Sequence, residues 1–132
     1  MLRKTISPAE LAAVTSSVGP KRYRHLIGQV ADWQAVWGLR SRQGWVSAAG
    51  EAGATAFPVW PHQPYASQCI GAQWEESVAT PIEVHEFLEV FVPNLIADGA
   101  QIAAFPTPVG STVLVSAEQF AEDVRAELAR IE

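Results

Sequence analysis

The sequence predicts an α+β fold, a mostly antiparallel sheet of five or six strands with helices packed on it. Three observations point there. Helix-start signals recur at Ser7-Pro8-Ala9-Glu10, Thr80-Pro81-Ile82-Glu83 and Ser116-Ala117-Glu118-Gln119. In each, a hydroxyl stands at the cap and a Glu or Gln follows three residues on, to satisfy N–H groups that the first turn leaves unpaired. Two pairs of β-rich segments are each separated by a turn-like stretch, the pattern of hairpins. Strict alternation of strand and helix is absent, which argues against a doubly wound nucleotide-binding fold.

The elements follow in order. Residues 1–19 form an added N-terminal helix begun by Ser7. Residues 20–132 form a single α+β domain. Its first helix follows Gly19-Pro20 and carries the apolar stripe Tyr23, Leu26, Ile27 and Val30, at the 3–4 residue spacing of a helix face. Val36-Trp37-Gly38-Leu39 and Trp45-Val46-Ser47 flank the turn Ser41-Arg42-Gln43-Gly44, and Trp37 and Trp45 are expected to pair across it. A third strand covers 55–59. A shorter helix covers 62–70 and stops at Gly71. A weak strand is possible around 77–79.

A further helix then starts at Thr80. Its stripe is Val84, Phe87, Leu88, Phe91, Val92 and Leu95, with Glu83, Glu86 and Glu89 off it. Pro93 removes one internal hydrogen bond and should kink or end the regular part. Gly99 closes the segment. Residues 101–105 and 111–115 make a second hairpin across Pro106-Thr107-Pro108-Val109-Gly110. The last helix, capped by Ser116, buries Phe120, Val124, Leu128 and Ile131.

Composition bounds the function. The chain has 132 residues, 48% apolar and 17% charged, which suits one folded domain and is too apolar for a disordered chain. Arg3 and Lys4 near the start are not followed by the apolar core of a secretory signal. No apolar run approaches the ~20 residues of a membrane span. The expected protein is soluble and cytoplasmic. A single Cys69 rules out an internal disulfide framework and any multi-Cys metal site.

Charge is uneven. Residues 1–42 hold seven bases and two acids, a net of +5, and residues 43–132 hold two bases and twelve acids, a net of −10. The bases are scattered and lack any nucleic-acid motif, so solvated faces are expected rather than a nucleic-acid surface.

The series Val36-Trp37-Gly38-Leu39, Gly44-Trp45, Phe57-Pro58-Val59-Trp60-Pro61-His62, Tyr65-Ala66, Phe87-Leu88, Pro93, Leu95 and Ala104-Phe105-Pro106-Thr107-Pro108 resembles the small bacterial domain-of-unknown-function family 2750. The resemblance covers roughly residues 20–131. Phe-Pro-x-Trp-Pro-His and Phe-Pro-Thr-Pro are its most specific segments. Pro64 departs from the pattern, where a helix-forming polar or charged residue is expected. The resemblance implies no particular chemistry.

The candidate binding residues are Trp60, His62, Tyr65, Trp74 and Thr107. Pro58 and Pro61 stiffen one strand exit, and Pro106 and Pro108 stiffen another. If both lie at one end of the sheet, they frame an aromatic-walled recess with Thr107 and His62 as its polar groups. The alternative is that both exits only pack aromatics into the core. Trp74, in a loop-like stretch, is the Trp expected to be partly exposed.

No catalytic constellation stands out. His62 and Cys69 lie two helical turns apart, out of hydrogen-bond reach. Cys69 reads as a buried, inert thiol. His85 and Glu89 could touch at i,i+4 but lack a second His for a metal. No cofactor or metal is expected.

The leading functional expectation is a non-catalytic protein-binding or regulatory module. One alternative is an immunity-type protein whose acidic part neutralises a basic toxin. The other is a small-molecule binder or enzyme using the recess near Trp60, His62 and Thr107. Sheet edges leave a homodimer open.

Overall fold

The computed structural model describes residues 5–131; Arg3 and Lys4 of the basic start lie outside the described residues. In chain order the elements are α1 (Pro8–Thr15), α2 (Gly19–Trp33), β1 (Ala35–Ser41), β2 (Gly44–Trp45), β3 (Ala48–Ala49), β4 (Thr55–Val59), α3 (Gln63–Ser67) and α4 (Ile70–Gln73). There follow β5 (Val78–Glu83), α5 (Val84–Glu86), a π-helical turn (Phe87–Phe91), α6 (Val92–Ala97), β6 (Gln101–Ala104), β7 (Val113–Ser116) and α7 (Ala117–Ile131).

The class is α+β, but there is no single sheet of five or six strands. The strands form a three-stranded sheet, β2-β1-β5, and a four-stranded sheet, β3-β4-β6-β7. A bridge between Trp37 and Trp60 joins them, each backbone N–H donating to the other's carbonyl at 3.0 and 2.8 Å. Every strand pairing is antiparallel except β4 with β6, which run parallel with Val59 opposite Ala104.

The Trp37–Trp60 bridge explains the largest departure from the sequence reading. Thr80-Pro81-Ile82-Glu83 looks like a helix start, yet it lies in β5, with Pro81 opposite Trp37. Trp37 directs both its N–H and its C=O to Trp60, away from β5. Position 81 is therefore not hydrogen-bonded to β1, and the N–H that proline lacks would face the open edge. Capping passes to Glu83, whose Oε1 accepts the Glu86 N–H at 3.0 Å, while the Thr80 hydroxyl donates to Val78 O. The caps at Ser7 and Ser116 form as expected, accepting from Glu10 N–H at 3.1 Å and Gln119 N–H at 3.0 Å.

Three other expectations change. Pro93 does not end the helical segment, but the regular part is interrupted just ahead of it by the π-helical turn. The ladder widens just ahead of it, Val92 N–H reaching back to Phe87 O, and regular helix resumes to Ala97. The wider turn accommodates a ring that would crowd the preceding carbonyl. The 62–70 helix breaks into α3 and α4 around Cys69, with Gly71 inside α4. Finally, the tight turn closing at Ser41 and Gly44 sets Arg40, not Trp37, opposite Trp45. The Arg40 guanidinium lies 5.1 Å from the Trp45 ring centroid, and that ring packs on Phe57 and Phe91.

The core gathers Leu26 and Val30 of α2, Val36 of β1, Val59 of β4, Ile102 of β6, Phe87 of the π-helical turn, and Phe120 and Val124 of α7, all fully buried. Both long helices present the stripes read from their spacing, although Ile131 stays exposed. Tyr23 ties α2 to α7 by donating to Asp123 Oδ2 at 2.5 Å.

Candidate functional site

Because β4 and β6 run parallel, their proline-stiffened exits leave the sheet at the same end. They are joined directly. Trp60 Nε1 donates to Pro106 O at 2.9 Å, and the Cys69 thiol donates to the same oxygen at 3.4 Å. Phe105 takes the left-handed conformation, φ 54°, which costs a non-glycine residue of order 1–3 kcal/mol. It is held there by its N–H bond to Val59 O at 2.9 Å, by complete burial, and by its ring edge against Tyr65 at 5.0 Å. This bend turns the chain out of β6 into the 106–112 loop.

The loop forms one wall of a recess of about 300 Å³. Gln68, Cys69 and Trp74, the two residues of β3 and Ala103 complete the lining. Trp74 is half-buried. Its ring meets Trp60 edge-on at 6.0 Å, and its Nε1 donates to Ser47 O at 3.3 Å. Thr107 staples the loop by donating from its hydroxyl to Ser111 O and accepting the Ser111 N–H at 3.1 Å. Among the described lining residues only Cys69 can ionise, and burial pushes its thiol up to about 11. At neutral pH the recess walls carry no charge.

Of the five residues singled out from sequence, Trp74 and Thr107 line the recess. Trp60 is fully buried behind Trp74. His62 and Tyr65 are buried on the side facing α2. His62 Nε2 pairs with Gln29 Oε1 at 2.8 Å, and its ring meets Trp33 edge-on. Tyr65 packs against His25 and Phe105, and burial, with Glu10 adding, pushes its phenol up to about 12. His62 and Thr107 are thus not brought together.

Sequence reading missed Arg22. The residue is 2% exposed, not solvated, and its guanidinium donates Nε–H to Phe105 O at 3.2 Å, Nη1–H to Ser17 O at 2.9 Å and Nη2–H to Ser111 Oγ at 3.1 Å. It also lies 5.7 Å from the Phe105 ring centroid. Burial lowers its pKa. Its position was readable, because residues 22, 26 and 30 share one helix face with Leu26 and Val30. His25 is half-buried against Tyr65, and His85 pairs with Glu83 at 2.8 Å instead of Glu89.

Among the described residues no group of three or more His, Cys, Asp or Glu side chains is placed to hold a metal ion, and no helix is long and apolar enough to cross a membrane.

Fold and recess together define a small α+β protein of two bridged sheets with an uncharged, loop-walled recess. The chain belongs to the DUF2750 family, whose model, described as a protein of unknown function, matches residues 23–124. No curated protein and no solved structure matches the chain.

Proposed function

We propose that this protein is a non-catalytic binding module that takes an uncharged, mainly apolar group of a protein partner into the recess between Trp74 and Thr107. The observation that carries the reading is the lining itself. A Trp face, two prolines and several alanines offer apolar contact, while the Gln68 amide and Thr112 hydroxyl offer orientation. The one ionisable group present, Cys69, stays protonated and gives neither a general base nor a thiolate nucleophile.

The test is a fragment and short-peptide screen followed by amide and indole NMR shifts on the full chain. Binding is expected to shift the Trp74 indole and the Gly110 and Ser111 amides. Shifts confined to the groove between α2 and α7 lined by Tyr23, Ile27, Asp123 and Ala126, or none with any neutral ligand, would contradict the reading.

A further inference from the structure

Two hydrogen-bonded routes run from the end of α1 to the two walls of the recess. On one wall, Gln68 donates from Nε2 to the Thr15 hydroxyl at 2.8 Å. On the other, Arg22 holds Ser17 O at 2.9 Å and, with the same guanidinium, Phe105 O at 3.2 Å and Ser111 Oγ at 3.1 Å. Phe105 and Ser111 flank Thr107 in the loop. A guanidinium is a rigid planar fork, so three acceptors bound to it cannot move independently.

Thr15 ends α1 and Ser17 follows it by two residues, whereas Arg22 belongs to α2; α1 itself is lightly held. It has eight residues, none of them buried. Leu11 and Val14 only partly pack on the core. So short a helix has little stability of its own. Thr15, Ser17 and Arg22 all precede residue 23, where the family match begins; Gln68, Phe105 and Ser111 all fall within it.

We propose that α1 is a brace whose docking sets the aperture of the recess, with Arg22 as the positioning residue. With α1 docked, Gln68 and the 105–111 loop are held together. With α1 released, Gln68 loses its Thr15 partner and Arg22 loses the Ser17 acceptor that helps to aim its fork at Phe105 and Ser111. The use of this device rests on the recess being the binding site, but its test involves no ligand, so either idea can fail alone.

Cys69 is the reporter. It is the single cysteine, it lines the recess, and it is 8% exposed. Its rate of alkylation by iodoacetamide is measured on the full chain at one fixed pH. Ala12→Gly weakens α1 at an exposed position; Ala126→Gly weakens α7 equally and serves as the control. The brace predicts about fivefold faster labelling for Ala12→Gly, the helix-propensity loss expressed as an opening equilibrium, and no change for Ala126→Gly.

Thr15→Val, Ser111→Ala and Arg22→Lys, which keeps the charge but loses the fork, are each expected to speed labelling as well. Equal acceleration by the two glycine variants would mean that Cys69 is reached by global unfolding, and would overturn the proposal. So would a wild-type rate in Ala12→Gly. A wild-type rate in Arg22→Lys would remove Arg22 from the positioning role.

Discussion

Trp60 Nε1 donates to the carbonyl oxygen of Pro106 at 2.9 Å across 46 residues of sequence. The contact exists because β4 and β6 are parallel, so two exits that look alike in sequence emerge side by side. It anchors the rear of the recess, since Pro106 lines the recess and Trp60 supports the Trp74 ring.

Trp60→Phe keeps an aromatic ring and deletes the donor. The Pro106 carbonyl then retains only the weaker thiol bond from Cys69. A loss of about 1–3 kcal/mol is expected, the cost of leaving a buried polar group poorly paired. Urea unfolding measures it, and an unchanged midpoint would remove this bond from the account.

Stability should fall in alkali. Cys69 and Tyr65 are neutral when protonated, and burial pushes them to about 11 and about 12 from ordinary values of 9.0 and 10.0. The folded state therefore holds these protons at pH values where the unfolded chain has released them. Their stabilisation is complete below pH 9.0 and is lost as pH rises through about 11 for Cys69 and about 12 for Tyr65. Urea midpoints between pH 8 and pH 11 should decline less steeply in Cys69→Ala than in the wild type. Identical slopes would contradict the assignment.

Two glycines should respond oppositely to alanine. Gly28 lies within α2, and an added Cβ meets nothing within 4 Å, so Gly28→Ala should gain about 0.5–1 kcal/mol. At Gly38 a Cβ would approach the Trp45 ring to 3.1 and 3.2 Å. Gly38→Ala forces that ring off Phe57 and Phe91 and should cost about 1–3 kcal/mol. Thermal melts of both variants give the signs.

Features decided within a few residues were readable in sequence. The caps at Ser7 and Ser116, the stripes of α2 and α7 and the first hairpin depend on neighbours three or four positions away. Thr80 carries the same local signal as those caps and fails. The deciding fact is distant: Trp37 is already bonded to Trp60, which lets Pro81 sit harmlessly in a strand. Parallel pairing of β4 with β6 has no local signature at all.

The recess was half legible for the same reason. Strand-exit stiffness pointed to Thr107, and an irregular flank pointed to Trp74. Which way His62 turns depends instead on Gln29 and Trp33 of α2. Arg22 was counted among the surface charges although its spacing placed it on the buried stripe. Charge type outweighed periodicity, and periodicity was the better guide.

The most direct test of the central claim is to fill the recess and measure binding. Gly71 lines it, and a Cβ there meets nothing within 4 Å, so Gly71→Leu is the variant that adds apolar bulk at the recess. Titration calorimetry with a neutral ligand or partner peptide found in the NMR screen compares the two proteins. The account predicts binding at least about tenfold weaker in Gly71→Leu, a loss of roughly 1.4 kcal/mol, with an unchanged melting temperature. Equal affinity in the filled variant would place binding elsewhere and contradict it.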